Sequence, residues 1–140
     1  MTHGRWIRLA LGYLTLFSLQ IGLWAMLAPR SFYDSFPGMG RVWISIDGPY
    51  NEHLTRDVGA LNVALAVLLI TAAVKLSREL VVTASAVAMV WGIPHLLYHA
   101  FNTDGLDSSD IVSSLGGLVL FAVLPISAIV LSSKLEPAAS

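Results

Sequence analysis

An all-α polytopic membrane protein is predicted by three observations. Of the 140 residues, 56% are hydrophobic and only 12% are charged, with a mean hydropathy of +0.73. A water-soluble domain carries about twice that share of charge. Four stretches, near 6–28, 52–75, 79–101 and 109–133, reach the roughly 20 apolar residues a helix needs to cross the hydrocarbon layer. Turn-forming residues separate them. Inside a bilayer every backbone N–H and C=O must be satisfied within the chain, so the four crossings have to be helices. The expected fold is an antiparallel bundle of four transmembrane helices, with a long capping loop between the first and second, forming one domain over residues 1–140.

The first stretch ends at Ala28-Pro29-Arg30 without a small-x-small cleavage site, and its apolar run exceeds that of a signal peptide, so it is read as retained. The connection that follows carries Pro37, Gly38, Gly40, Gly48 and Pro49, all turn formers. Its aromatic residues Phe32, Tyr33, Phe36, Trp43 and Tyr50 predict a folded cap at the membrane interface. Asn51 is placed to cap the second helix, with Glu52 in its positive first turn. Only a short turn lies between Lys75 and Arg78, which makes the second and third helices antiparallel neighbours. Pro94 interrupts the third helix and predicts a kink. Ser108-Ser109-Asp110 is expected to cap the fourth. Gly59, Ala60 and Gly116-Gly117 are expected to let helices approach closely.

Net charge is −1, and the distribution of charge says more than the total. Arg5, Arg8, Lys75, Arg78 and Lys134 fall at the end holding both termini and the short turn, against Arg30, Arg41 and Arg56 at the other. This excess predicts a multi-pass protein of the cell membrane with cytoplasmic termini. There is no cysteine, so disulfides, thiolate metal sites and iron–sulfur clusters are excluded. No basic patch suits a nucleic acid.

The candidate chemistry lies in two motifs, His53-Leu-Thr-Arg-Asp57 and His95-Leu-Leu-Tyr-His99. Residues four apart share a helix face. Counting outward from the turn at Lys75 and Arg78 sets His53 level with His99 and Asp57 level with His95, on the extracytoplasmic side. Ionisable groups within membrane helices are functional candidates because they cost several kcal/mol, on the order of 2–3 or more each, unless paired or hydrated. Three imidazoles and a carboxylate suit zinc, iron, manganese or copper, so His53, Asp57, His95 and His99 are expected to ligate a metal, with Glu52 or Asp110 as catalytic base. The alternative is that they only hydrogen-bond in the interfacial water, Asp57 pairing with Arg56 or a histidine. Haem ligated by two facing histidines, or a quinone exchanging protons with a histidine–carboxylate pair, is a further reading. Gln20 and Asn62, deep in their helices, are expected to bond across helices, whereas Arg30, Arg41 and Arg56 are expected to reach lipid head groups.

The segment Leu23-Trp24-Ala25-Met26-Leu27-Ala28-Pro29, the aromatic loop after it, and Asn51-Glu52-His53 with Arg56-Asp57-Val58-Gly59-Ala60-Leu61 resemble the small DoxX-like four-helix bacterial membrane proteins. The resemblance covers most of the chain in architecture. It implies a four-helix membrane bundle and, for some members, association with quinone-linked or sulfur redox systems. The function expected from the residues is a metal-dependent enzyme acting on a lipid-like or amphipathic substrate. The competing expectation is a non-enzymatic accessory subunit, and a chain this small is expected to meet either a second copy of itself or a membrane-complex partner.

Overall fold

The computed structural model describes residues 3–135. The first crossing is α1 (His3–Leu27), and a short helix α2 (Pro29–Ser35) follows after one residue. Two-residue strands β1 (Pro37–Gly38) and β2 (Arg41–Val42) then pair antiparallel, Pro37 opposite Val42. The remaining crossings are α3 (Glu52–Lys75), α4 (Arg78–Phe101) and α5 (Ser108–Ser132). Among the described residues there are five helices, four of them long and apolar enough to cross a membrane. The terminal residues 1–2 and 136–140, which the cytoplasmic assignment of the termini includes, lie outside the described residues.

Local chemistry explains the boundaries. Asn51 caps α3 as expected, its side chain accepting from the Leu54 amide at 3.0 Å. At the other end Leu76 turns left-handed (φ 50°) and its amide donates to the Ala72 carbonyl at 2.9 Å. Ser77 then caps α4 by accepting from the Leu80 amide at 3.4 Å, so the reversal takes two residues. Pro94 lies inside α4, which runs on through Phe101. The cap of α5 is Asp107 and not the following serines: its carboxylate accepts from the Asp110 amide at 2.8 Å. A carboxylate accepts more strongly than a hydroxyl at the positive end of a helix.

Small residues set the helix spacing. A Cβ on Gly59 would lie 2.5 Å from the Met26 amide nitrogen and 2.8 Å from the Gly22 carbonyl oxygen, and one on Gly22 would lie 2.9 Å from the Val63 amide nitrogen. α1 and α3 therefore touch backbone to backbone, the most extensive helix contact in the protein. Near the turn Arg8 donates to the Ala73 carbonyl at 3.2 Å, so residue numbers fall on one helix as they rise on the other. α4 meets α5 through Gly92, over which the Phe121 ring lies. Gly116 makes no such approach, Gly117 comes only within ordinary contact of Phe17, and Ala60 is exposed, which corrects three of the expected contact positions.

The main core joins Ile7, Leu11 and Leu14 of α1 with Leu65, Leu69 and Ala72 of α3, Val81, Ala84 and Ala88 of α4, and Phe121 and Ala128 of α5. It occupies the half of the protein nearest the α3–α4 turn. A second cluster, Ile21, Ala25 and Phe32, seats α2 on the end of α1, with Trp24, Phe36 and Ile44 against it. The space between the two clusters holds the cavity described next.

Candidate functional site

A cavity of about 410 Å³ opens where the four long helices are no longer filled by the main core. This is within the usual range for small-molecule sites. Phe17, Gln20 and Ile21 line it from α1, Leu54, Thr55 and Val58 from α3, Trp91, His95 and His99 from α4, and Ser113, Ser114, Gly117 and Leu118 from α5. Phe32, Phe36, Pro37, Trp43 and Ile44 close its end. Part of the aromatic connection thus lies against the cavity.

On α4, Trp91, His95 and His99 are spaced by four and form a ladder on one face. The His95 ring stacks on Trp91 at 4.8 Å with 19° between planes, and His99 meets it edge-on at 4.7 Å. Trp91 is itself held against Phe121, centroids 4.9 Å apart. Both imidazoles are fixed by ring contacts, and each neutral imidazole offers one N–H donor and one acceptor. The hydroxyls of Thr55 and Ser113 donate to their own helices, at the Asn51 and Ser109 carbonyls. Their protons are therefore committed and only lone pairs face a ligand. Trp43 lines the cavity through its ring, while its indole N–H is buried without a partner among the described residues.

The cap is tied down by charge. Arg41 Nη1 lies 2.8 Å from Asp110 Oδ1 and 3.2 Å from Ser113 Oγ, joining β2 to the first turns of α5. Asp110 is only 15% exposed, so this pair is partly shielded from solvent. Tyr33 bonds the Gly48 carbonyl inside the cap. Arg30 pairs with Asp34 at 2.7 Å and stands over the rings of Tyr33 and Tyr50. Its guanidinium pKa is raised, first by the hydrogen bond to Asp34.

The expected metal ligands are found as two separate pairs. His95 and His99 face the cavity, whereas His53 Nε2 lies 3.2 Å from Asp57 Oδ2 on a surface where the two side chains are 89% and 56% exposed. Among the described residues no group of three or more histidines, aspartates and glutamates could hold a metal ion. The reason is rotation about the α3 axis. His53 and Asp57 continue the line of Ala60, Ala64, Val67, Thr71 and Val74, every one exposed. The cavity is reached by Leu54, Thr55 and Val58, the next positions along, and one residue is about 100° of helix. Glu52 and Asp110, expected as catalytic bases, are ion-paired instead, Glu52 with Arg56 at 2.9 Å on the exposed face and Asp110 with Arg41. Arg56 also donates to the Met26 carbonyl. Asn62 is buried but donates to the Val58 carbonyl of its own helix, not across helices.

Trp91 and Phe17 were not singled out by their sequence positions, whereas Trp43 was expected as one aromatic of the cap. The signal for Trp91 was present in its spacing of four from His95. No family model, curated protein or solved structure matches this chain.

Proposed function

We propose that this protein is a membrane-embedded binding protein for a lipid-like amphipath, whose apolar body fills the cavity and whose polar head is read by His95 and His99. The carrying observation is a cavity with a mainly apolar lining that His95 and His99 enter from successive turns of one helix. Such a lining provides shape and dryness, and a few convergent polar groups provide orientation. A head group with both a donor and an acceptor, such as a hydroxyl or phenol, complements two imidazoles.

The four long helices in this reading form an antiparallel bundle in the cell membrane, with the cap at residues 30–50 on the extracytoplasmic side. The DoxX-like resemblance belongs to the same proposal, as does a redox-active ring as one form of the head group. Metal chemistry through His53, Asp57, His95 and His99 together is given up, because two of the four point away from the cavity.

Solvent extraction and mass spectrometry of protein purified in mild detergent test the proposal. The wild type is expected to retain an amphipathic small molecule near one per chain, and His95→Leu to lose most of it while keeping its helical circular dichroism. A wild type carrying only bulk lipid in nonspecific amounts refutes the reading. Metal measured in the same sample at one per chain, and lost in His95→Leu, would restore a metal to this site.

A further inference from the structure

Resting on the binding role proposed above, a further question is how a ligand reaches a cavity inside a membrane protein. Most of its walls are closed. α1 and α3 touch backbone to backbone through Gly22 and Gly59, and α4 meets α5 where Phe121 covers Gly92. Phe17 and Phe121 bridge α1 and α5, ring centroids 5.4 Å apart. The aromatic cap covers the end of the cavity and is pinned to α5 by Arg41.

The seam between α3 and α4 is different. Although joined by a two-residue turn, these helices touch much less than α1 and α3 do. The α3 residues of the main core begin at Leu65 and run toward the turn, so that core does not extend between the two helices to the level of residues 54–58. There Leu54 and Val58 line the cavity and yet are 60% and 36% exposed. On α4, Tyr98, whose ring meets that of His99 edge-on, is exposed as well. Leu54, Val58 and Tyr98 give this threshold an apolar and aromatic surface, beside the exposed His53–Asp57 pair of α3.

We infer that the α3–α4 seam is a lateral portal through which a membrane-dissolved amphipath enters from the surrounding leaflet. This narrows the ligand class to molecules that partition into bilayers, as against water-soluble metabolites. The energetics follow. A ligand already in lipid gains little from an apolar lining, since lipid tails are as apolar as leucine. Selection then falls on the polar groups of the lining, His95, His99 and Gln20 among them.

Trp6→Phe and Trp24→Phe would leave the two cavity tryptophans, Trp43 and Trp91, as the only indoles of the four in the chain. In this background, reconstituted in phosphatidylcholine vesicles, 9,10-dibromostearic acid is added as a contact quencher. Leu54→Cys provides the sole thiol of the chain for a bulky maleimide, and Val67→Cys, on the outward face of α3 and 59% exposed, is the matched control. The expected result is saturable quenching that the label at position 54 slows by about tenfold and the label at position 67 leaves unchanged. Saturable quenching unaffected at position 54 overturns the portal while leaving the binding role intact. Tryptophans reached by aqueous acrylamide but not saturably by the bromolipid overturn the membrane source itself.

Discussion

Replacing Gly59 by alanine tests whether the cavity depends on a backbone contact some distance from its polar groups. The new methyl carbon would sit 2.5 Å from the Met26 amide nitrogen, 2.8 Å from the Gly22 carbonyl oxygen and 2.9 Å from the Met26 Cα. All three neighbours are backbone atoms, so no rotamer change relieves the overlap and α1 must move away from α3. Restoring ordinary contact takes the closest of these distances from 2.5 Å to about 3.4 Å. Overpacking of this kind costs about 1–3 kcal/mol, offset by up to about 1 kcal/mol from the better helix propensity of alanine. Gly116→Ala is the matched control because a Cβ there meets nothing within 4 Å. It has only the propensity gain, so the two variants should differ by about 1–3 kcal/mol. Unfolding of both proteins in the same mild detergent, followed by circular dichroism against added denaturing detergent, measures that difference. Equal stability of the two variants would refute the glycine contact as the element that sets the α1–α3 spacing.

Breaking the cap tether with Asp110→Asn should destabilise by about 1–2 kcal/mol, between the exposed and fully buried limits for ion pairs. A double-mutant cycle with Arg41→Met measures the coupling, and a value indistinguishable from zero would show that the pair does not hold the cap. His53→Ala, at a side chain 89% exposed, should leave stability within about 0.5 kcal/mol of wild type. Ligand retention measured in the same variant should also be unchanged, and its loss would place His53 in the site. Asp107 has a lowered pKa, first through the hydrogen bond from the Asp110 amide, so its capping contribution holds above the ordinary carboxylate pKa and fades as pH falls through the depressed value. Asp107→Asn should accordingly remove part of the acid-side loss of stability seen in a pH series of melts, and an identical acid limb would contradict this. Single cysteines at Asp34, Ser77 and Asp107 of this cysteine-free chain report orientation, with labelling by an impermeant thiol reagent on intact cells expected at Asp34 and Asp107 and absent at Ser77. The reverse pattern would turn the cap to the cytoplasm.

The spans, the two-residue reversal at Leu76 and Ser77, and the Asn51 cap were legible in the sequence because each follows from local chemistry: apolar length, a tight turn, a side-chain acceptor before a helix. The hydrogen-bonding fate of Asn62 was not, since a buried carboxamide can satisfy its donor on its own helix as readily as on a neighbour. Nor was the ion pair of Asp110, whose partner lies 69 residues away on a hairpin that only the folded cap brings near.

The position of the site along the helix axis and its position around that axis call for different information. Counting from a tight turn gives height, and α3 residues 54, 55 and 58 do share a cavity with His95 and His99 of α4. Counting cannot give rotation, and in a membrane helix apolar residues cover both the packed and the lipid-facing sides, so the periodicity that marks the buried face of a soluble helix is weak. Small residues carry the missing information, because close packing in a bilayer requires them. Gly59 lies two residues beyond Asp57, about 200° around the helix, and it is Gly59 that meets the α1 backbone. Once a glycine is known to face the bundle, a carboxylate on nearly the opposite side cannot also reach a shared centre within it. On α4 the same reasoning gives the other answer. Gly92, buried under Phe121, lies three residues before His95 and seven before His99, spacings that keep all three toward the packed side, where both histidines meet the cavity.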